Sequence, residues 1–278
     1  MPDTLRLTLP APEPSQELLI ADLADLGFGA FEADSSVLVA YMPAPSWTPD
    51  IERAARTSVR QRGIDPGGIR VETVPDRDWN AEWEATLQPI EVGPFVIAPS
   101  WTEVPPDLAN RRILHIDPKM AFGTGHHETT RVCLRLLADV VPAGGRVLDV
   151  GTGTGVLALA ALMLGADRAV GVDIDPWSVA NGEENAARNG LADRFEVREG
   201  SLDVVPETGF DLVICNVIRS IMEPMLAGII ARAASGAPVV LSGLLTSERR
   251  AVTERLAASG RRLLKESSEG DWWGGVWQ

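Results

Sequence analysis

The chain has 278 residues, 45% of them apolar, and a formal net charge of −14 at pH 7. That length suits one large domain or two modest ones, and no run is long and apolar enough for a membrane span. The acidic balance argues against a nucleic-acid substrate held by nonspecific phosphate contacts, because the clearest basic clusters, Arg249-Arg250 and Arg261-Arg262, are short. It suits a basic protein segment, or serves solubility alone.

From residue 4 to about residue 74 the pattern predicts strand, helix, strand, strand, helix, strand. Leu5, Leu7 and Leu9 alternate, and Leu18, Leu19, Leu23 and Leu26 recur at helical spacing before Gly27. Strands follow over 28–32 and 37–41, a helix over 50–61 and a strand over 69–74. This order is the split β-α-β-β-α-β unit of a ferredoxin-like domain, expected over 1–75. Residues 76–118 read as a linker: a connecting helix with Trp79 and Trp83 on one face, then short strands at 95–97 and 113–116.

From residue 119 to 278 the pattern becomes regular α/β. Strands at 146–150, 169–173, 195–198, 211–215 and 238–242 alternate with helices, and a last pair, about 261–267 and 273–277, is separated by Gly270. The expectation is a seven-stranded, mainly parallel Rossmann-like sheet whose terminal pair forms an antiparallel edge.

A first glycine loop, Phe122-Gly123-Thr124-Gly125-His126-His127, leads into a helical run that Thr129 or Thr130 is expected to cap. A second loop closes the first strand of the α/β region: Asp149-Val150-Gly151-Thr152-Gly153-Thr154-Gly155. Glycines there let the backbone turn sharply and approach a ligand that a Cβ would exclude. Asp173, 22 positions beyond Gly151, ends the next strand, where its carboxylate can accept both hydroxyls of a ribose. Together they define a nucleoside cradle. The loop is GxGxG with Val156 where the dinucleotide fingerprint has its third glycine, so S-adenosylmethionine (SAM) is favoured over NAD. Asp149 orders the loop or faces the methionine amino group.

The fourth strand of this region delivers Asn216 at its carboxyl end, where ligands bind in open α/β sheets. Its side-chain oxygen can accept from an attacking nitrogen and aim the lone pair at a methyl group, although a simple turn residue is the alternative. Val217-Ile218-Arg219 follows instead of an aromatic, which fits an aliphatic amine better than a nucleobase.

The cysteines, Cys133 and Cys215, form no CxxC pair, and the histidines are His115, His126 and His127. That inventory gives neither a disulfide framework nor a zinc site, and no metal is expected. The start, Met1-Pro2-Asp3-Thr4, lacks a basic region followed by an apolar core, so no signal peptide is evident and a cytoplasmic location is expected.

Several of these elements together resemble one family. Asp78-Trp79-Asn80 with Trp83, Phe122-Gly123-Thr124-Gly125 with His127, Thr129 and Thr130, the Asp149-Val150-Gly151 loop, Asp173-Ile174-Asp175-Pro176, Asn185 with Asn189, and Asn216-Val217 are similar to the bacterial ribosomal protein L11 methyltransferases (PrmA). The resemblance implies SAM-dependent methylation of the α-amine and lysine ε-amines of that ribosomal protein, with the N-terminal unit recognising it. It also implies cofactor contacts from Thr130, Gly151, Asp173 and Asn216.

Gly153 and Ile174 join these as cofactor candidates, and Phe122 is expected to pack on the cofactor. Asn216 and His127 are the catalytic candidates, His127 either taking a proton or fixing its loop through a hydrogen bond. A monomer without nucleic-acid or membrane partners is the expectation. The alternatives are a lysine methyltransferase with another protein substrate and a noncatalytic SAM-binding regulator.

Overall fold

The computed structural model describes residues 3–75, 84, 86–119 and 121–278. The expected connecting helix with Trp79 and Trp83 lies outside the described residues. The chain divides into two compact units, Met1–Glu82 and Trp83–Gln278.

In the first unit, β1 (Thr4–Pro10), α1 (Glu13–Asp25), β2 (Ala30–Ala33), β3 (Val37–Pro43), α2 (Pro49–Gln61) and β4 (Arg70–Val74) follow in the expected order. The sheet order is β2-β3-β1-β4 with every neighbouring pair antiparallel, the ferredoxin-like arrangement. Leu5, Leu7 and Leu9 are buried and register opposite Met42, Ala40 and Leu38, so the alternation in the sequence becomes one wall of the core. Leu19 and Leu23 of α1 and Val59 of α2 close it from the other side. Leu18 departs from its expected place and is exposed. It lies one residue, about 100°, around the helix from Leu19 and so misses the buried stripe. Gly27 at φ +96° ends α1, and the Thr48 hydroxyl caps α2 by accepting from the Ile51 N–H at 3.3 Å.

The second unit contains a short sheet of β5 (Ile90–Val92), β6 (Phe95–Ala98) and β7 (Arg112–His115). Its large sheet comprises β8 (Arg146–Val150), β9 (Arg168–Asp173), β10 (Phe195–Glu199), β11 (Leu212–Asn216), β12 (Val239–Leu245), β13 (Leu263–Glu269) and β14 (Trp272–Trp277). The order is β10-β9-β8-β11-β12-β14-β13, parallel from β10 to β12. The last strand, β14, runs antiparallel between β12 and β13. The strand β14 therefore lies inside the sheet, and β10 and β13 form its two edges.

Helices α3 (Glu128–Leu137), α4 (Val156–Leu164), α5 (Pro176–Arg188), α6 (Arg219–Arg232) and α7 (Arg249–Ala258) cover both faces. Because successive side chains of a strand point to opposite faces, the core sorts into two layers. Val147, Ile214 and Val240 pack with α3 and α4, while Leu148, Cys215 and Leu241 pack with α6 and α7. Phe95, Ile97 and Leu114 carry the short sheet into the first layer. Cys133 and Cys215 are free, and burial pushes both thiols up, Cys133 to about 12. Neither is a thiolate at neutral pH. Among the described residues no helix is long and apolar enough to cross a membrane, and no group of three or more His, Cys, Asp or Glu could hold a metal ion.

Candidate active site

A cavity of about 420 Å³ opens at the carboxyl ends of the parallel strands. Gly151 and Gly153 after β8, Asp173 and Ile174 at the end of β9, and Asn216 at the end of β11 form much of its wall. Phe122, His127 and Thr129 enter from the segment that starts α3, and Trp272 from the start of β14.

The loop after β8 depends on its glycines. Gly151, Gly153 and Gly155 take φ of +73°, +54° and +81°, a region costly for residues with a side chain. A Cβ on Gly153 would stand 2.2 Å from the Phe122 carbonyl oxygen, and one on Gly151 2.6 Å from Val217 Cγ1. The loop N–H groups are already used within the protein. Gly151 and Thr152 donate to the Val172 carbonyl, Gly153 to Asp173 Oδ2 at 2.9 Å, Thr154 to the Phe122 carbonyl and Gly155 to the Thr152 carbonyl. A dinucleotide's pyrophosphate needs such donors free. This loop is a shaped surface and not an anion cradle, which weighs against NAD.

Asp149 does not line the cavity. It is buried beneath the loop and accepts from the Thr152 hydroxyl at 2.8 Å, so its role is to order the turn. Burial pushes its carboxyl up to about 7, against the pull of the Thr152 hydroxyl and the Ala158 N–H. Asp173 holds the Gly153 N–H on Oδ2 and the Asp175 N–H on Oδ1, and each oxygen keeps a lone pair for a further donor. Ile174 beside it is 77% exposed.

A polar face of α5 joins this loop to the segment before α3. Asn185, fully buried, accepts the Asp117 N–H at 3.1 Å and donates to the carbonyls of Thr154 at 3.0 Å and Asp117 at 3.3 Å. Asn189 accepts the His115 N–H and donates to the His115 carbonyl, and Arg188 pairs with Asp117 at 2.8 Å. The Thr154 hydroxyl then donates to the Gly123 carbonyl at 2.7 Å. Asn185 thus fastens the loop after β8 to Asp117 and Asn189 fastens α5 to His115, while Thr154 itself joins the two glycine loops.

The start of α3 corrects the expected cap. The N-cap is His127, whose Nδ1 accepts from the Thr129 N–H at 3.2 Å, while Thr129 and Thr130 lie in the first turn. An imidazole nitrogen with a free lone pair does the work of the usual oxygen. The Thr129 hydroxyl lies 2.9 Å from the same Nδ1, and Asn216 Nδ2 donates to it at 3.3 Å. Asn216 Oδ1 is buried without a hydrogen-bond partner. The His127 ring sits between Phe122 and Trp272, with centroid distances of 5.1 and 5.2 Å.

Phe122, His127, Gly151, Gly153, Asp173, Ile174 and Asn216 therefore meet around one cavity. Thr130 is fully buried behind that wall, its hydroxyl unpartnered, and Thr129 lines the cavity at this turn. Sequence reasoning missed Trp272 and Gly243. Trp272 pairs with Leu245 because β14 runs antiparallel, which brings its first residue to the carboxyl end of β12. Gly243 sits where the β12–β14 register slips between Leu241 and Leu244, and only the rule that ligands gather at strand carboxyl ends pointed there.

Comparison with known proteins identifies a family. The family model described as "Ribosomal protein L11 methyltransferase (PrmA)" matches residues 29–276. A ribosomal protein L11 methyltransferase of Synechococcus sp. (strain RCC307) is 34% identical over 98% of this chain and 95% of its own length. One from Symbiobacterium thermophilum is 41% identical over 69% of this chain, a match spanning 62% of that relative's length. The crystal structure of a ribosomal protein L11 methylase from Lactobacillus delbrueckii subsp. bulgaricus superposes with a TM-score of 0.63 at 28% identity, covering 69% of this chain and 98% of that one. The chain belongs to the ribosomal protein L11 methyltransferase (PrmA) family of SAM-dependent enzymes.

Proposed function

We propose that the protein methylates amines of ribosomal protein L11, the α-amine and lysine ε-amines, with SAM as donor. The observation that carries this reading is Asn216 Oδ1, a buried acceptor without a partner on a residue that lines the cavity beside the glycine loop. The residues present fit SAM. Gly151 and Gly153 leave room that a Cβ would fill, Asp173 has lone pairs for ribose hydroxyls, and Ile174 and Phe122 offer apolar surface. Thr130, with its unpartnered hydroxyl, completes the proposed cofactor set.

When bound, SAM supplies a sulfonium methyl already activated for displacement. The protein's task is then positioning. Asn216 Oδ1 accepts an N–H of the neutral amine and turns its lone pair into the cavity. A lysine amine, with an ordinary pKa of about 10.4, must first lose a proton, and burial in a mostly apolar cavity favours that loss. The proton left after transfer passes to water, so no strong base is needed.

The N-terminal unit, 1–75, is proposed to capture the substrate and 119–278 to carry methyl transfer, with the short sheet of the expected link, 76–118, packed on the latter's core. The net charge of −14 favours a basic protein over RNA as the partner of a cytoplasmic monomer. The test is incubation of purified L11 with SAM, read by intact mass. Wild-type protein is expected to add mass in steps of one CH₂, Asn216→Ala to lose about 100-fold in kcat with SAM affinity little changed, and a chain lacking 1–75 to bind SAM but leave L11 unmodified. SAM binding without any mass gain would direct the search to another protein substrate or to a regulatory role.

A further inference from the structure

We propose that His127 and Thr129 are a positioning pair that decides which end of the Asn216 amide meets the substrate amine. The inference rests on the methyl-transfer reading above and gives His127 a role other than proton acceptor.

The argument begins at the helix cap. A backbone N–H only donates, so the Thr129 N–H at 3.2 Å requires a lone pair on His127 Nδ1. The proton of the neutral ring is therefore on Nε2. Glu128 Oε2 stands 3.8 Å from Nδ1, beyond hydrogen-bond reach. With Nδ1 occupied by the cap and Nε2 already protonated, the imidazole has no free lone pair to take a proton from an amine.

The Thr129 hydroxyl has a single proton. We place it on the shorter 2.9 Å line to Nδ1, whose single lone pair is then shared between this hydroxyl and the backbone N–H at 3.2 Å as a three-centre bond. Only lone pairs of Oγ1 then face Asn216 at 3.3 Å, and lone pairs select the NH₂ end of the amide. Asn216 Oδ1, buried and unpartnered, is thereby left for the substrate. The polarity matters chemically. Oδ1 accepts an amine N–H and leaves the nitrogen lone pair free, whereas a reversed amide would donate to that lone pair and tie up the electrons that form the N–CH₃ bond.

The order of atoms, Thr129 N–H to His127 Nδ1, Thr129 O–H to the same Nδ1, Asn216 N–H to Thr129 Oγ1, joins the helix start to the end of β11. It also explains a histidine at a position usually held by Ser, Thr, Asp or Asn. A hydroxyl, amide or carboxylate cap would leave out the ring. The ring adds a wall between Phe122 and Trp272 while its Nδ1 holds the threonine.

The experiment is steady-state methylation of L11 by the full-length protein, with SAM affinity by calorimetry and Tm recorded for each variant. His127→Asn places an oxygen acceptor near the site of Nδ1, keeps a favoured cap and removes the ring, so it is expected to recover most of the kcat that His127→Ala loses. His127→Ala and Thr129→Val are expected to lose about 10- to 100-fold in kcat with SAM affinity changed by less than about threefold, and Thr129→Ser to recover most of the loss. Since both residues act through Asn216, His127→Ala combined with Asn216→Ala is expected to be no slower than Asn216→Ala alone. Loss in His127→Asn as deep as in His127→Ala, at unchanged Tm, would overturn the proposal and make the imidazole itself the reacting group. Multiplicative losses in the double variant would also overturn it. Full turnover in Asn216→Ala would instead remove the reading of Asn216 on which the pair depends.

Discussion

The two ends of the cavity are built differently. The end formed by Gly151, Gly153 and Asp173 comes from one β-α-β unit, and its shape is held mainly by backbone atoms of that unit with the Asp149 and Asp173 carboxylates, Thr154 alone reaching the Phe122 and Gly123 carbonyls. The end formed by Phe122, His127, Thr129, Asn216 and Trp272 draws on segments far apart in sequence and is held by side chains. The first shape would suit SAM in any enzyme that uses it. What distinguishes one acceptor from another has to lie in the second, where a few hydroxyl, amide and ring atoms determine which nitrogen is presented and how.

The sharpest way to break this contrast is Gly153→Ala. The change meets both a positive φ and a carbonyl oxygen 2.2 Å from the new Cβ, and that carbonyl belongs to Phe122 at the other end of the cavity. The expected result is a loss of SAM affinity of about 1,000-fold, about 4 kcal/mol, measured by calorimetry. Gly190→Ala is the control. It has a similar φ of +68° but nothing within 4 Å of a new Cβ, so it carries the backbone strain without the collision. Equal losses in the two variants would mean that strain, and not the contact between the loops, sets the affinity.

The difference between the ends also explains what could be read in advance. Gly151, Gly153 and Asp173 follow from local rules, since a tight turn after a strand needs glycine and the next strand end lies a helix away. His127 as a cap does not follow, because cap preferences favour the neighbouring threonines and the free lone pair on Nδ1 depends on atoms that only the fold brings together. Trp272 belongs to a strand that was legible as a strand. Its place between β12 and β13 was not, because that pairing is made over long range. In the first unit the alternation of Leu5, Leu7 and Leu9 was sufficient, whereas Leu18 shared the helical spacing only approximately and faces outward.

Asn185 fastens the glycine loop to Asp117, in the segment that leads to Phe122, and its removal is the next largest expected effect. Asn185→Ala leaves the Asp117 N–H and the Thr154 carbonyl without their side-chain partner in a fully buried place. Unsatisfied groups of this kind cost about 3 kcal/mol together, so Tm is expected to fall by about 10 °C. Asn189→Ala, at a half-buried site where water can substitute, is expected to cost only about 1 kcal/mol. Equal shifts in Tm would show that α5 is fastened along its length and not at the buried asparagine.

An effect of comparable size, but visible only as a pH dependence, belongs to Asp149, the buried acid beneath the glycine loop. Its carboxyl titrates near about 7 in the folded protein, pushed up by burial, whereas an unfolded aspartate titrates near about 3.9. Between those values the native state keeps a proton that the unfolded chain has released. The stabilisation is therefore complete below about pH 4, falls as pH rises and is gone above about pH 7, with a slope of at most about 1.4 kcal/mol per pH unit. Asp149→Asn removes the titration while its amide oxygen can still accept from Thr152. Urea unfolding of both proteins from about pH 5 to about pH 8 isolates this group, because the other titrations are common to the pair. The stability of the variant relative to wild type is expected to rise up to about pH 7 and then level. A difference that stays flat across the range would mean that Thr152 and the start of α4 hold the carboxylate ionised throughout, and that the glycine loop rests on a buried charge.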